Sequence, residues 1–337
     1  MIGNVANLVR WEWFKLSRRW MPWILLAIMV LFSQLVVWAS VNGYQKAERQ
    51  TGPTINLGTR GSGQSITLNC KEIDAVPPRS LPPGVQGQAL QAGCAQWNAA
   101  HQLELQRLRN NFTIPGALTA AVTIGEGIGV FLLAILTASV IGTEYGWGTL
   151  RSLLSKGPGR WQVLLAKLVL LLLVLAGAFV VVMALAGLSS TIANRMAVAG
   201  VAPTATWPDV ADTFGRMWVA LLPYVALAAF FSVLTGSSAA GIGISLAYQF
   251  GEQIGVAIMI NLVDWFLTVS EYLLARNVNA WVQGGLSPGE RGFLSGGAGA
   301  LPGPGHGLIV LLCYTVVLLA LAFWLFQRRD VKGSSGG

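Results

Sequence analysis

The chain has 337 residues, of which 54% are hydrophobic and 11% are charged, and its mean hydropathy is +0.59. Soluble domains carry about 25% charged residues, so this chain lacks the polar surface of a water-soluble globule. Its net charge of +8 comes from basic residues that flank apolar runs, where they meet lipid headgroups. Composition and charge therefore indicate an integral membrane protein and argue against a nucleic-acid-binding protein.

Residues 1–22 precede the first apolar run and are predicted to form an interfacial helix on the cytoplasmic face of the membrane. Apolar residues recur there at helical spacing and share one face: Val5, Val9, Trp13, Leu16 and Trp20. The basic residues of this segment suit the headgroup region: Arg10, Lys15, Arg18 and Arg19. The alternative is that the segment is only a charged flank of the first crossing.

Six apolar runs are each long enough, at about 20 residues, to cross the bilayer as a helix. They are residues 23–43, 118–141, 163–188, 217–234, 239–263 and 308–326. We therefore predict an all-α integral membrane protein with six transmembrane helices. Both termini are expected in the cytoplasm, because the short segments on that side are rich in Lys and Arg.

The remaining segments are assigned as connections. Residues 189–216 are expected to form an outer loop, and residues 264–307 an outer segment that is rich in glycine. Residues 327–337 are expected to form a cytoplasmic tail, whose final GSSGG has the composition of a linker or tag remnant.

Residues 44–115 are a hydrophilic insertion between the first two apolar runs and are predicted to lie outside the cytoplasm. The first half has loop composition, and the second half predicts a helix over 86–112. Cys70 and Cys94 are the only cysteines of the insertion, and disulfides persist in this compartment. We therefore predict that they form a disulfide. Cys313, in the last apolar run, is expected to be a free thiol.

The sequence contains no P-loop and no HExxH or CxxC pair. We therefore expect no catalytic site, metal site or cofactor site on this chain. Two carboxylates lie within apolar runs, Glu126 and Glu252. A charge at bilayer depth is costly, so each is expected to face protein or a water-filled cavity. Each is either a substrate or proton site or a buried structural hydrogen-bond partner.

The most distinctive stretch lies between the second and third apolar runs. Residues 141–167 read IGTEYGWGTLRSLLSKGPGRWQVLLAK and predict a short helix over 143–157, with Glu144 paired to Arg151. The Gly-Pro-Gly that follows would end this helix before the chain re-enters the bilayer. The alternative is an ordinary positively charged cytoplasmic loop.

The order of residues in this stretch resembles the second cytoplasmic loop of permease subunits in the ABC-2 family of transporters, exporter type. The matching positions are Glu144, Tyr145, Gly148, Thr149, Leu150, Arg151, Leu154, Arg160 and Lys167. In that family the short helix is a coupling helix that docks into a cleft of a separate ATPase subunit. The opening LVRWEWFKLSRRWMPWILL and the closing FQRRD are also similar to the family, whereas the insertion over 44–115 is longer than usual.

The resemblance implies the membrane subunit of an ATP-driven exporter in the plasma membrane. Two ATPase subunits would bind ATP and Mg²⁺, and a second permease copy would complete the assembly, a homodimer being favoured over a heterodimer. Two other functions stay open. One is a scaffold or signalling subunit that uses its outer insertion, and the other is an ion-coupled secondary carrier that uses Glu126 and Glu252.

Overall fold

The computed structural model describes residues 2–50, 52, 54–58, 65–70, 87–146, 159–196, 205–259, 262–263, 265–284 and 301–328. Within these ranges the regular structure is helical apart from two paired β-strands. The helices are α1 (Ile2–Ser17), α2 (Trp20–Glu48), α3 (Gly87–Asn110), α4 (Gly116–Ile124), α5 (Val130–Gly146), α6 (Arg160–Met196), α7 (Trp207–Thr235), α8 (Ser238–Met259), α9 (Phe266–Ser270), α10 (Leu274–Gln283) and α11 (Pro304–Arg328). A π-helical turn, Gly125–Gly129, joins α4 to α5 as one continuous helix.

Five helical segments in the described ranges are long and apolar enough to cross a membrane. They are Trp20–Glu48, Gly116–Tyr145, Arg160–Arg195, Trp207–Thr235 and Pro304–Arg328. They correspond to five of the six predicted crossings, so the expectation of a multi-pass membrane protein is confirmed. The remaining predicted crossing, 239–263, overlaps α8, which Gln249, Glu252 and Gln253 interrupt and which is not among these five segments.

The segments Gly116–Tyr145 and Trp207–Thr235 form the centre of the bundle. Their most apolar stretches are 60% and 67% buried within the protein, compared with 22–33% for the other three segments. Helix α5 packs against α7 and α8, while α6 packs against α1 and α2, and α11 packs against α7 and α10. Large side chains such as Phe179 and Leu221 are fully buried where these helices meet. The outer helices therefore present much of their apolar surface to lipid.

Several helices extend beyond the apolar runs that predicted them. Residues 189–216, expected as a loop, are largely helical, because α6 continues to Met196 and α7 begins at Trp207. Thr206 and Asp209 form a capping box at the start of α7, and Pro208 occupies its first turn. Apolar runs mark the part of a helix in lipid, whereas caps decide where the helix begins and ends.

The insertion contains the predicted helix as α3 and the predicted disulfide between Cys70 and Cys94, whose Cα atoms are 5.1 Å apart. It also contains a feature that the all-α prediction missed. Strands β1 (Thr54–Gly58) and β2 (Ser65–Asn69) pair antiparallel, with Thr54 opposite Asn69. The disulfide connects the end of β2 to α3, and Trp97 packs against it.

Candidate functional site

Four ionisable side chains from three helices meet where α5 ends and α6 begins. The Nζ of Lys15 on α1 lies 2.7 Å from Glu12 Oε1 and 2.9 Å from Glu144 Oε1. The Nζ of Lys167 on α6 lies 3.0 Å from Glu12 Oε2 and 3.0 Å from Glu144 Oε1. Each carboxylate contacts both ammonium groups, and the two negative charges balance the two positive ones. These four residues are called the ion network below.

The sequence of α1 explains how the network assembles. Glu12 and Lys15 are three residues apart and so lie on the same face of the helix. Leu16, one turn beyond Glu12, is buried in an apolar cluster with residues of α5 and α6: Leu136, Val140, Leu170 and Leu171. This apolar contact holds α1 against both helices, and it places the charged face of α1 beside Glu144 and Lys167.

The network is mostly hidden from solvent. The side chains of Lys167, Glu12 and Glu144 are 3%, 8% and 8% exposed, whereas that of Lys15 is 35% exposed. Lys167 also donates a hydrogen bond to the carbonyl of Val140 at 3.3 Å. Unpaired charges are costly to bury, so each member depends on the others. Removing one of them would leave an unbalanced charge in the packed interface.

The most exposed member of the network, Lys15, is held in its charged form. Burial lowers its pKa, but hydrogen bonds to Glu12 and Glu144 and the negative charges of both carboxylates outweigh this effect. The net result is that the pKa of Lys15 is raised above its ordinary value. Its stabilising contribution is therefore fully present below about pH 10.4, the ordinary lysine value, and is lost only as the pH rises through the raised pKa.

Further contacts connect this end of the bundle to its neighbours. Arg19, between α1 and α2, donates from Nη1 to Thr143 Oγ1 at 3.2 Å. Tyr145 packs edge-on against Phe326 near the end of α11, with ring centroids 6.2 Å apart. Arg160, at the start of α6, donates to the carbonyl of Gln327 at 3.2 Å. These contacts hold the end of α5 and the start of α6 beside the α1–α2 junction and the end of α11.

The predicted coupling positions fall partly within this site. Glu144 and Tyr145 belong to the last turns of α5, so residues 143–146 continue the second span and do not begin a separate helix as predicted. Glu144 Oε2 has no hydrogen-bond partner in the described part of the chain. The other predicted positions before α6 lie outside the described residues: Gly148, Thr149, Leu150, Arg151 and Leu154. The predicted pair of Glu144 with Arg151 also lies outside them.

The predicted interfacial segment is present as α1, but its predicted apolar stripe is partly wrong. Helix α1 ends at Ser17, so Trp20 belongs to α2, where it is 83% exposed. Leu16 is buried within the protein and does not face the leaflet as predicted, whereas Trp13 is 49% exposed. The exposed basic residues Arg10 and Arg18 lie away from the buried face, and the guanidinium of Arg18 stacks over the Phe14 ring at 4.3 Å.

Sequence reasoning missed Glu12, which is 6% exposed at the centre of the network. The available signal was an acidic residue three positions before Lys15 in an otherwise basic segment. This pattern normally describes an exposed intrahelical pair, and nothing in the local sequence shows that other helices cover it.

The two carboxylates within apolar runs have different surroundings. Glu252 of α8 is buried and accepts a hydrogen bond from the backbone N–H of Ala275, in the first turn of α10. Glu252 Oε1 thus satisfies a free N–H at a helix start, whereas its Oε2 has no hydrogen-bond partner among the described residues, so both alternatives for Glu252 stay predictions. Glu126 lies in the π-helical turn, and its side chain lies outside the described residues.

Two comparisons with known proteins cover nearly the whole chain. The model of a family described as "ABC-2 family transporter protein" matches residues 6–331. The chain is also 24% identical to "Uncharacterized protein YhcI" of Bacillus subtilis (strain 168), in an alignment of 359 residues that covers 97% of this chain and 99% of the relative. The family match includes all four residues of the ion network.

Proposed function

Because the chain belongs to the ABC-2 family of transporter proteins, we propose that it is the permease subunit of an ATP-driven exporter. Separate ATPase subunits, two per assembly, bind and hydrolyse ATP with Mg²⁺. This chain converts their closure into movement of a substrate out of the cell. It performs no hydrolysis itself, since its sequence contains no P-loop.

The observation that carries this proposal is the position of the ion network. Residues 147–158, which contain most of the proposed coupling helix, connect the network member Glu144 on α5 to the α6 that carries Lys167. A push on this connection would act on both residues and, through them, on α1. The unpartnered Oε2 of Glu144 favours Arg151 as a further partner within the connection. A packed charged network of this kind suits switching between two discrete arrangements.

A second copy of this chain is the proposed permease partner. Helix α8 exposes three small residues at four-residue intervals, Gly243, Ala247 and Gly251, and also exposes the polar Gln253. A Cβ atom at Gly243 or Gly251 would meet nothing within 4 Å in this chain. Small residues allow membrane helices to approach closely, and amide side chains form hydrogen bonds between them. This surface supports a homodimer.

The proposed orientation places both termini and the ion network in the cytoplasm, where the ATPase subunits bind. The insertion with its disulfide then lies outside, in the compartment where disulfides persist. The protein is accordingly a multi-pass component of the plasma membrane.

The test compares Glu144→Gln with the wild-type chain, each tagged and purified from its native membranes. An ATPase that contains a P-loop should co-purify with the wild type in equal amount. In proteoliposomes, Glu144→Gln should lower ATP hydrolysis by the complex at least about fivefold, the lower limit of typical coupling between sites. The measurements are subunit stoichiometry and the rate of phosphate release.

Asp212→Asn is the matched control, because it also neutralises one carboxylate of an ion pair. Its pair with Arg216, at 2.6 Å, is exposed at the start of α7, away from the network. This variant should retain the wild-type rate.

The absence of any co-purifying ATPase would favour the scaffold or signalling function. Uptake driven by a pH gradient in vesicles without ATP would favour the secondary carrier. An unchanged rate of ATP hydrolysis in Glu144→Gln would show that the ion network takes no part in the coupling.

A further inference from the structure

An apolar groove opens on the side of the bundle between the α1–α2 junction, α5 and α6. Its volume is about 260 Å³, and Leu221 of α7 lies at its floor. The walls include Leu25 and Met29 of α2, Leu132 of α5, and Val174 of α6. Leu173 and Val181 line the rim and are 56% and 39% exposed, so the groove is open to the surroundings of the bundle.

Small residues keep this groove open. Gly177 and Ala178 of α6 and Gly129 at the end of the π-helical turn line it among large aliphatic side chains. A Cβ atom at Gly129 or Gly177 would meet nothing within 4 Å. Protein interiors are close-packed and contain few voids larger than a water molecule. An apolar space of this size at the lipid-facing side of a bundle is therefore suited to an apolar occupant.

The end of the groove at the α1–α2 junction has the chemistry of a headgroup site. Trp13 and Trp23 line this end, and the indole N–H of Trp23 donates to the carbonyl of Ser17 at 2.9 Å. Tryptophan is enriched at the level of lipid headgroups. The exposed Arg18 follows Ser17 directly, while the nearby carboxylates of Glu12 and Glu144 are neutralised within the ion network. The excess charge at this end is positive.

We propose that this groove binds one acyl chain of an anionic phospholipid from the leaflet that surrounds α1, with the lipid phosphate beside Arg18. The lining from Leu173 to Val181 runs about 12 Å along α6, at about 1.5 Å per residue. One hydrocarbon leaflet is about 15 Å thick, so a chain in the groove would reach close to the bilayer midplane. The bound lipid packs against α1, α2 and α6 next to the ion network. This inference requires only that the chain is embedded in a membrane.

Native mass spectrometry of the full-length protein, given equal amounts of phosphatidylglycerol and phosphatidylcholine in detergent, tests the proposal. The wild type should retain one phosphatidylglycerol per chain in preference to phosphatidylcholine. Gly177→Trp fills the groove and should reduce retention at least about tenfold, because most of the acyl contact is lost. Val180→Trp is the matched control: Val180 is on the same helix, 59% exposed and outside the groove lining. It should retain the lipid.

The headgroup contact is tested with Arg18→Gln, which should lower the ratio of phosphatidylglycerol to phosphatidylcholine about fivefold. Equal retention of both lipids by the wild type would overturn the assignment of an anionic headgroup. Unchanged retention in a Gly177→Trp variant that elutes like the wild type would overturn the proposal. If that variant instead lost self-association while keeping the lipid, the groove would be an interface between two copies of the chain.

A second measurement does not depend on any variant. Wild-type protein is reconstituted in vesicles of phosphatidylcholine and phosphatidylglycerol, the latter carrying a photoactivatable diazirine on its acyl chain. Adducts should concentrate in peptides that contain residues 129–136 and 173–181. An equal yield of adducts along the exposed face of α11 would show only general lipid contact and would overturn the proposal.

Discussion

Lys167 shows how strongly a single residue of this protein can depend on its partners. Only 3% of its side chain is exposed, and its ammonium group contacts Glu12, Glu144 and the carbonyl of Val140. In the sequence it stands in an apolar helix, where a lysine would normally reach towards the headgroups. Here two carboxylates from other helices satisfy it, so its removal should be costly.

Lys167→Met should lower the free energy of unfolding by about 3–5 kcal/mol, because Glu12 and Glu144 then share one ammonium group in a buried site. Thermal or detergent-induced unfolding of the purified protein measures this change. Asp212→Asn, which breaks the exposed pair with Arg216, should cost less than about 1 kcal/mol.

The double variant Glu12→Gln/Lys167→Met leaves one acid and one base, Glu144 and Lys15. Its free energy of unfolding should be higher than the sum of the two single changes predicts, because the effects of substitutions at neighbouring residues in one network are not additive. Strict additivity of the two single variants would show that the four residues do not act as a unit.

Part of this site could be predicted from sequence and part could not. The motif around Glu144 singled out the end of α5, where the structure places Glu144 in the ion network, and the prediction of a helix before the first crossing is confirmed by α1. The pairing of Lys15 with Glu144 joins residues 129 positions apart, and that of Lys167 with Glu12 joins residues 155 positions apart. Such pairs depend on helix packing, which no local pattern contains.

At the scale of helices, two glycines of α8 differ in how closely other atoms approach them. A Cβ atom at Gly241 would lie 2.3 Å from Ser232 Oγ and 3.0 Å from Ser232 Cα, whereas at Gly243 it would meet nothing within 4 Å. Gly241 therefore permits the close approach of α7 and α8. Gly243 lies on the free face that we propose as the homodimer interface.

Gly241→Leu should separate α7 from α8 and lower the free energy of unfolding by about 1–3 kcal/mol, the usual cost of overpacking. Gly243→Leu should leave the unfolding of the single chain unchanged but weaken self-association. Unfolding curves and single-molecule photobleaching in nanodiscs separate these effects. A wild-type proportion of dimers in Gly243→Leu would place the homodimer interface elsewhere.

The helices themselves were predicted better than their ends. Apolar runs located the segments in lipid because hydropathy is a property of composition. The ends depend on caps such as Thr206 and on tertiary contacts, so the predicted loop 189–216 is mostly helix. The five-residue strands β1 and β2 were missed, because runs this short in a polar segment give weak signals.

At the scale of the whole molecule, the topology depends on whether α8 crosses the membrane. Its 22 residues span about 33 Å, enough to cross the hydrocarbon region. Gln249 and Glu252 lower its hydropathy but are 3% and 9% exposed, whereas Phe250 and Ile254 are 50% and 58% exposed. Two of the three most polar side chains of α8, Gln249 and Glu252, thus face protein, so the mean hydropathy of this helix understates how apolar its exposed surface is.

Contacts at both ends of α8 support a crossing. At one end Ser238 packs against Gly142, near the end of α5 that carries the ion network. About two turns before its other end, Glu252 contacts α10, which is held to the first half of α7 by hydrogen bonds between Arg216 and Trp281, each at 3.0 Å. Helix α8 thus extends from the network end of the bundle to the opposite end.

Six crossings place both termini on one side, whereas five would place them on opposite sides. The contacts of Tyr145 with Phe326 and of Arg160 with Gln327 already place the end of α11 beside the ion network and α1. We therefore expect green fluorescent protein fused after Arg328 to fluoresce, and alkaline phosphatase fused there to be inactive. Alkaline phosphatase inserted between Leu262 and Val263, after α8, should be active. The opposite result at both positions, with the N-terminus still cytoplasmic, would mean that α8 does not cross.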